Sequence, residues 1–230
     1  MSPIRSILSV ARSFRYGAAL AVLNLSLAFG ATAAAAEPQR LVALGDSLTQ
    51  GYGLPEGDGF VPQLAKWLAD QGREVVINNA GVSGDTTAGG LSRLDWTLAE
   101  PADAMIVTLG GNDLLRGIDP AASKANLDAI LTAAKARGVP VLLMPMVAPG
   151  NYGPDYKQAF DAMYPDLAAT HGVLLGDAFL RPLEQGEGSL TLTPALMQAD
   201  GIHPNRDGVA RVVAALGPRV IELLDQAKAR

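Results

Sequence analysis

Short apolar runs alternate with longer stretches of helical spacing along most of the chain, from residue 39 onward. A run of four to eight apolar residues bounded by turn residues is typical of a buried strand, whereas apolar residues three and four positions apart indicate a helix. Leu64, Trp67 and Leu68 have this helical spacing. The predicted strands are residues 41–46, 74–81, 104–111, 139–146 and 173–179, and the predicted helices are residues 60–71, 87–98, 121–137, 156–170 and a last helix from Asn205.

Strands that are apolar throughout and separated by helices predict a parallel sheet that helices cover on both faces. Five such units predict a single α/β domain, a three-layer αβα sandwich with a five-stranded, flavodoxin-like parallel sheet. Within the last helix, Pro218 is expected to kink the helix or split it in two, because proline removes a backbone hydrogen bond. In such a fold the ligand crevice lies beyond the carboxyl ends of the strands.

The first 36 residues have the pattern of a secretory signal peptide. A positive segment with three arginines and no acidic residue is followed by the apolar run 17–30, and small residues precede a predicted cleavage site after Ala36. A membrane anchor is the alternative, but a run of 14 residues is short for a span of about 20. We therefore expect residues 37–230 to form the mature domain, exported to the periplasm or secreted, without stable membrane insertion after cleavage.

Composition and charge narrow the classes of function. The chain has 18 Lys and Arg against 23 Asp and Glu, and without its first 36 residues its net charge would be −8. This acidic balance argues against nucleic-acid binding, which normally requires a basic face. The absence of cysteine excludes disulfides, thiolate metal sites and a cysteine nucleophile. With only His171 and His203 available, a multi-histidine metal site is not expected.

Four polar stretches fall where the predicted crevice should be. GDSLTQGYG (45–53), GVSGDTTAGG (81–90) and GGNDLLRG (110–117) follow the first three strands, and ADGIHPN (199–205) precedes the last helix. Because the carboxyl ends of parallel strands meet at one edge of the sheet, these stretches are expected to lie together.

Ser47, Asp200 and His203 have the chemistry of a nucleophile and its base. A serine nucleophile needs an imidazole that a carboxylate orients, and the D-x-x-H spacing places carboxylate and imidazole on one tight segment. Each residue also has an alternative interpretation: Ser47 as a helix N-cap, and His203 as a helix cap beside a solvated Asp200. His171 precedes Gly172 at a predicted helix end, where a cation favours the helix dipole, so we interpret it as structural.

Gly84 and Asn112 can supply donors to an oxyanion, together with the Ser47 N–H. Gly84 offers an N–H that no side chain hinders, and Asn112 offers a side-chain amide in a glycine-rich turn. The alternative is that both are turn residues, one a glycine that the turn requires and the other an asparagine in a left-handed conformation.

The four polar stretches, in this order, resemble the four sequence blocks of the SGNH hydrolases, also called GDSL esterases. The resemblance extends from Leu41 to Val213. It is greatest to the exported bacterial branch of multifunctional acyl-CoA thioesterases, lysophospholipases and arylesterases, through SGDTTAGGLSRL, GGNDLLRG, NYGPDY and MQADGIHPNRDG. The resemblance implies Ser47 as nucleophile, Asp200 and His203 as the rest of the triad, and Gly84 and Asn112 in the oxyanion hole. Residues 180–196 match nothing in the family.

The resemblance implies a serine hydrolase that forms an acyl-enzyme from small acyl esters or thioesters, with lysophospholipids as further substrates. It implies no metal or cofactor, and a monomer is expected. A carbohydrate acetylesterase of the same family is the nearest alternative. A non-catalytic flavodoxin-like binding protein and an exported carbohydrate-binding module are others, although aromatic residues make up only 5% of the chain. An α/β-hydrolase would require G-x-S-x-G, which the sequence lacks.

Overall fold

The computed structural model describes residues 37–186 and 189–229. The predicted signal peptide and its cleavage site therefore lie outside the described residues. The strands are β1 (Gln39–Gly45), β2 (Val75–Gly81), β3 (Ala104–Thr108), β4 (Val141–Leu143) and β5 (Leu174–Leu175). They form one parallel sheet in the order β2-β1-β3-β4-β5, which confirms the predicted five-stranded, flavodoxin-like α/β fold.

The helices are α1 (Ser47–Gln50), α2 (Phe60–Asp70), α3 (Thr87–Ser92), α4 (Leu94–Thr97), α5 (Gly111–Leu115), α6 (Pro120–Ala136), α7 (Pro154–His171) and α8 (Arg206–Lys228). Single 3₁₀ turns occur at Arg181–Leu183 and Pro194–Leu196. Helix α2 packs against α8, and α6 packs against α3 and α7. The connection from β1 to β2 crosses the sheet in one direction, and the connections from β3 to β4 and from β4 to β5 cross it in the other. Because parallel crossovers are right-handed, these two groups of helices lie on opposite faces of the sheet, which gives the three layers.

The middle of the sheet is the most deeply buried part of the domain. Leu41 and Leu44 on β1, Met105 on β3 and Leu142 on β4 have no exposed surface. Close-packed side chains leave buried strands little room to shift, so the loops that follow them have fixed starting points. None of the helices in the described part of the chain is both long and apolar enough to cross a bilayer.

Edge strand β2 departs from the prediction that every strand is covered on both faces. Val76 is 58% exposed, and Asn78 and Asn79 are also exposed. An edge strand has a neighbour on one side only, and the surface around these residues is left open to solvent. The prediction of full coverage was therefore wrong for β2, although it describes β1, β3 and β4 correctly.

Several predicted elements differ in extent. The predicted helix 87–98 is broken at Arg93, whose side chain turns back to donate to Asp85 and to the Gly45 carbonyl oxygen. Helix α8 runs unbroken past Pro218, so the predicted split was wrong. Strand β4 ends before Pro145, which has no N–H to continue the ladder, and both β4 and β5 are shorter than predicted because the chain then leaves the sheet to line a cavity.

Candidate active site

The polar stretches that follow the strands meet at one cavity of about 660 Å³ at the carboxyl end of the sheet. Ser47 comes from α1, which follows β1, Gly84 comes from the loop after β2, and Asn112 comes from α5, which follows β3. His203 reaches the same cavity from the segment before α8. The fold therefore brings together four of the five predicted site residues around one space, and it places the fifth, Asp200, against His203.

Ser47 is the first residue of the short helix α1, immediately after β1. The N-cap of this helix is Asp46, whose carboxylate accepts the Leu48 N–H at 3.0 Å. With the cap supplied by the preceding residue, the Ser47 hydroxyl is free to face the cavity instead. The alternative interpretation of Ser47 as the N-cap was therefore wrong.

Ser47, His203 and Asp200 form one chain of hydrogen bonds. Ser47 Oγ lies 2.8 Å from His203 Nε2, and His203 Nδ1 lies 2.6 Å from Asp200 Oδ2. The other carboxylate oxygen of Asp200 accepts the Ile202 and His203 backbone N–H groups at 2.9 and 3.0 Å. These hydrogen bonds lower the pKa of Asp200 to about 2, with the His203 backbone N–H contributing most. Asp200 is therefore a fixed, ionised partner for the Nδ1–H of His203.

The loop that carries His203 is held in place by Gln198. The Gln198 side-chain amide donates to the carbonyl oxygens of Tyr52 and Pro204, at 2.9 and 3.0 Å, and its backbone N–H donates to the His203 carbonyl oxygen. The Tyr52 ring lies against the imidazole, with 4.8 Å between ring centroids. Neither Gln198 nor Tyr52 was predicted as a site residue. Their signal in the sequence was their position, since both lie inside or beside the polar stretches.

The three donors predicted for an oxyanion are the N–H groups of Ser47 and Gly84 and the Asn112 amide, and all three residues line the cavity. Within residues 37–186 and 189–229, neither the Ser47 N–H nor the Gly84 N–H donates to a protein acceptor. Gly84 has a φ of +84°, which favours glycine, and its carbonyl oxygen accepts from Arg116 at 2.8 Å. The Asn112 amide donates to Asp46 Oδ2 at 3.4 Å, and its second N–H remains for a ligand.

Gly110 allows Asn112 to reach this position. Its φ is +115°, and a Cβ there would collide with the Tyr164 hydroxyl, which donates to the Leu109 carbonyl oxygen. No other residue type fits both the conformation and the space. Helix α5 consequently begins at Gly111, and Asn112 lies in its first turn, facing the cavity.

Asp46 is a site residue that the sequence analysis missed. Its side chain is buried beneath Ser47 and accepts from Leu48 and Asn112. Burial raises the pKa of Asp46 to about 6, although the Leu48 N–H and the nearby His203 oppose this rise. The signal that could have revealed it is an aspartate placed between the end of a buried strand and an exposed serine, which is the N-cap position of a new helix.

The rest of the cavity wall is mainly apolar and comes from α5, which follows β3, and from the segments after β4 and β5. The apolar lining residues are Leu114, Leu115, Pro145, Met146, Val147, Pro149, Ala178, Leu180, Leu190 and Leu192. The segment 180–196, which matched nothing in the family blocks, thus contributes to the cavity. The sequence did not predict this contact, because no local pattern in the segment indicates which of its side chains are buried.

His171 is placed apart from this cavity. It is the last residue of α7, and its Nε2 lies 2.8 Å from Asp128 Oδ1 on α6. It does not line the cavity that contains Ser47. This agrees with the interpretation of His171 as a structural residue at a helix end.

Comparison with known proteins gives one consistent family. The profile of the GDSL-like Lipase/Acylhydrolase family matches residues 43–211. The chain is 42% identical over 190 residues to Esterase TesA of Pseudomonas aeruginosa, covering 82% of this chain and 91% of that protein. It is 41% identical over 175 residues to Thioesterase 1/protease 1/lysophospholipase L1 of Escherichia coli, covering 75% of this chain and 79% of that protein.

Among solved structures, the chain is similar to the psychrotrophic esterase EstA from Pseudoalteromonas sp., crystallised as a form inhibited by monoethylphosphonate. The TM-score is 0.74 at 28% sequence identity, and the match covers 81% of this chain and 99% of the other. Sequence, fold and the arrangement of the cavity therefore agree, and this chain belongs to the GDSL-like lipase/acylhydrolase family, the SGNH hydrolases.

Proposed function

We propose that this esterase acts as a serine hydrolase that cleaves carboxylic ester and thioester bonds through an acyl-enzyme on Ser47. The observation that carries the proposal is the hydrogen-bonded path from Ser47 Oγ to His203 Nε2, at 2.8 Å, and from His203 Nδ1 to Asp200, at 2.6 Å. This path opens into a cavity with mainly apolar walls, which suits an acyl chain. An imidazole that is oriented by a carboxylate and bonded to a serine is the arrangement that nucleophilic acyl transfer requires.

In the acylation step, His203 Nε2 accepts the Ser47 proton while Oγ attacks the carbonyl carbon. The negative charge that forms on the carbonyl oxygen meets the N–H groups of Ser47 and Gly84 and the amide of Asn112. His203 then returns the proton to the oxygen or sulfur of the leaving group, as the bond between that atom and the carbonyl carbon breaks. Asp200 stays ionised throughout and stabilises the imidazolium.

In the deacylation step, water replaces the leaving group beside His203. The imidazole takes a proton from the water as its oxygen attacks the acyl carbon, and the same three donors hold the second oxyanion. His203 then protonates Ser47 Oγ as the acid is released. Each cycle thus consumes one water molecule and restores the starting protonation states of Ser47 and His203.

The names of the relatives and the character of the cavity support acyl esters and thioesters as substrates. The relatives are named as an esterase and as a thioesterase and lysophospholipase, and a further one, from Vibrio mimicus, as an arylesterase. We propose small acyl esters and thioesters for this chain, with lysophospholipids as further substrates. The apolar wall favours these over a sugar acetate, whose acetyl group would leave most of the wall without contact.

We also propose that the enzyme is an exported monomer that acts in the periplasm. The support is the pattern of the first 36 residues, in which arginines, an apolar run and small residues follow one another. Expression in a Gram-negative host and N-terminal sequencing of the periplasmic fraction should give a mature chain that starts at Glu37. A full-length chain in the membrane fraction would contradict this.

A fluorophosphonate probe tests the nucleophile directly, because it reacts only with an activated serine. The parent enzyme should gain one adduct, located by mass spectrometry on the peptide that contains Ser47, and Ser47→Ala should gain none. Ser92→Ala is the matched control, since Ser92 is an exposed serine on α3 that only caps a local carbonyl oxygen. Labelling of Ser47→Ala at the parental rate would overturn the proposal.

A further inference from the structure

Residues 180–186 and 189–193, here called the strap, form a wall of the cavity that the family blocks do not account for. The two arms of the strap pair as antiparallel chain: the Gln185 N–H donates to the Thr191 carbonyl oxygen at 2.9 Å, and the Thr193 N–H donates to that of Leu183 at 2.8 Å. Leu183 has no exposed surface and anchors one arm in the core. The strap is therefore fixed to the domain by backbone hydrogen bonds and by a buried side chain.

Pairing within the strap decides which side chains face the cavity. Glu184 and Leu192 lie directly opposite each other in an antiparallel bridge, so their side chains are on the same face. Leu190 is two residues before Leu192 and shares that face, because side chains alternate along an extended chain. All three line the cavity, together with Leu180 and Arg181 at the start of the strap.

The order of the strands gives an estimate of how far an acyl chain on Ser47 extends across the sheet towards the strap. The oxyanion donors come from loops after β1, β2 and β3, whereas the strap follows β5, three strands away from β1. With strands about 4.8 Å apart, the sheet spans roughly 14 Å from β1 to β5. An extended alkyl chain with bonds of about 1.5 Å advances roughly 1.3 Å per carbon, so about ten carbons cover the distance.

The leaving group and the acyl chain must occupy different parts of the cavity. His203 protonates the leaving atom, so the leaving group lies on the side of His203, next to Tyr52 and Ile202, which are 52% and 46% exposed. That side is open to solvent. The acyl chain then lies in the other part of the cavity, along the apolar residues after β4 and β5 and towards the strap.

We propose that the strap is the far wall of the acyl site and that it selects acyl chains of about ten carbons. Leu180, Leu190 and Leu192 contact the last carbons of the chain, and Arg181 and Glu184 end the apolar surface. A longer chain would have to displace water from these two charged groups, which is unfavourable. The inference rests on the proposed function, because it concerns the acyl group that Ser47 would carry.

A series of p-nitrophenyl esters with acyl chains of two to sixteen carbons tests the proposal. Each ester is used at a concentration below the one at which it forms micelles. For the parent, kcat/KM should rise with chain length by up to about fourfold per carbon, which is ~0.8 kcal/mol, and should stop rising near ten carbons. In Leu190→Trp, the ratio of kcat/KM for the ten-carbon ester to that for the acetate should fall at least tenfold. Val76→Trp is the control: Val76 is exposed on β2, outside the cavity, and its substitution should leave the whole profile unchanged.

Glu184→Leu is an independent variant, and it should favour longer acyl chains, whereas Leu190→Trp should disfavour them. Removing the charge extends the apolar surface, so kcat/KM for a fourteen-carbon ester relative to the ten-carbon ester should rise at least fivefold. A parental profile that is flat from four to twelve carbons, or that rises steadily to sixteen, would overturn the proposal. Fluorophosphonate labelling in the same samples separates the two hypotheses, because a labelled Ser47 with a flat profile contradicts the role of the strap alone, whereas an unlabelled parent contradicts the proposed function.

Discussion

The two histidines of this chain each pair with an aspartate, yet the surroundings of the two pairs differ. His203 Nδ1 lies 2.6 Å from Asp200, and His171 Nε2 lies 2.8 Å from Asp128. The two imidazoles are similarly buried, with 15% and 9% of the side chain exposed. Distance and burial therefore do not distinguish a base from a structural residue.

The second ring nitrogen and the fixation of the carboxylate distinguish them. His203 Nε2 faces the Ser47 hydroxyl at a cavity, whereas His171 ends α7 and does not line that cavity. The carboxylate of Asp200 also accepts two backbone N–H groups, which hold it in one orientation. An imidazole–carboxylate pair can act as a base on a substrate only where the rest of the fold supplies a nucleophile and a place for that substrate.

Replacing each histidine by alanine should give the largest difference between the two pairs. His203→Ala should lower kcat by roughly 10⁴-fold or more, because a triad acts as a unit. His171→Ala should change kcat less than twofold and should lower Tm instead, since it removes a charge-assisted contact between α6 and α7. Steady-state hydrolysis of p-nitrophenyl butyrate and thermal unfolding check both. Equal loss of activity in the two variants would remove the distinction.

Replacing each aspartate by asparagine tests the carboxylates. Asp200→Asn should lower kcat by about 10³-fold, less than loss of the base, while Asp128→Asn should leave kcat unchanged. Because the pKa of Asp200 is lowered to about 2, its stabilising effect is present above about pH 4 and is lost as the pH falls towards 2. The difference in Tm between parent and Asp200→Asn should therefore shrink between pH 5 and pH 2. A difference in Tm that does not change with pH would contradict the ionisation of Asp200.

Asn112→Ala leaves both histidine pairs intact and removes one oxyanion donor. We expect kcat to fall by about 10²–10³-fold, or ~3–4 kcal/mol, with a much smaller change in KM, because the donor acts mainly in the transition state. Single-turnover acylation and Tm measured on the same samples separate this from misfolding. A folded and fully active Asn112→Gly enzyme would show that Asn112 is only a turn residue.

Among the substitutions at the cavity, Asp46→Asn should have the smallest effect on the reaction, and it should stabilise the protein rather than destabilise it. The raised pKa of Asp46, about 6, means that ionisation of the buried carboxyl opposes folding at higher pH. The native state binds its proton more tightly than the unfolded state, so stability falls as the pH rises from about 4 to 6. At pH 8 Asp46→Asn should raise the free energy of unfolding by up to about 3 kcal/mol, and the gain should vanish near pH 4.

The same substitution should lower kcat by roughly tenfold, because an asparagine at position 46 that accepts the Leu48 N–H turns its own donor towards the Asn112 amide. Urea unfolding at pH 4, 6 and 8 measures the stability. Destabilisation of Asp46→Asn at pH 8 would show that the ionised carboxylate favours the native state.

Local patterns in the sequence determined the fold class and predicted most of the candidate site. Five apolar runs separated by amphipathic stretches predicted a parallel sheet, because burial on both faces leaves few polar positions in a strand. Ser47, His203 and Asp200 could be predicted as site residues because each lies in a short polar segment that contains glycine. Parallel strands bring such segments to one edge, so their convergence follows from the fold class.

Only the tertiary structure determined the features that depend on distant neighbours. Four features depend on residues far away in the sequence: the burial of Asp46, the exposure of Val76, the helix break at Arg93 and the contact of the strap with the cavity. The side-chain contacts of the two histidines with distant residues make the same point, since Asp128 lies 43 residues before His171 and Ser47 lies 156 residues before His203. Periodicity reports which face of a segment is apolar, but burial and pKa depend on what packs against that face, and packing is set by the whole chain.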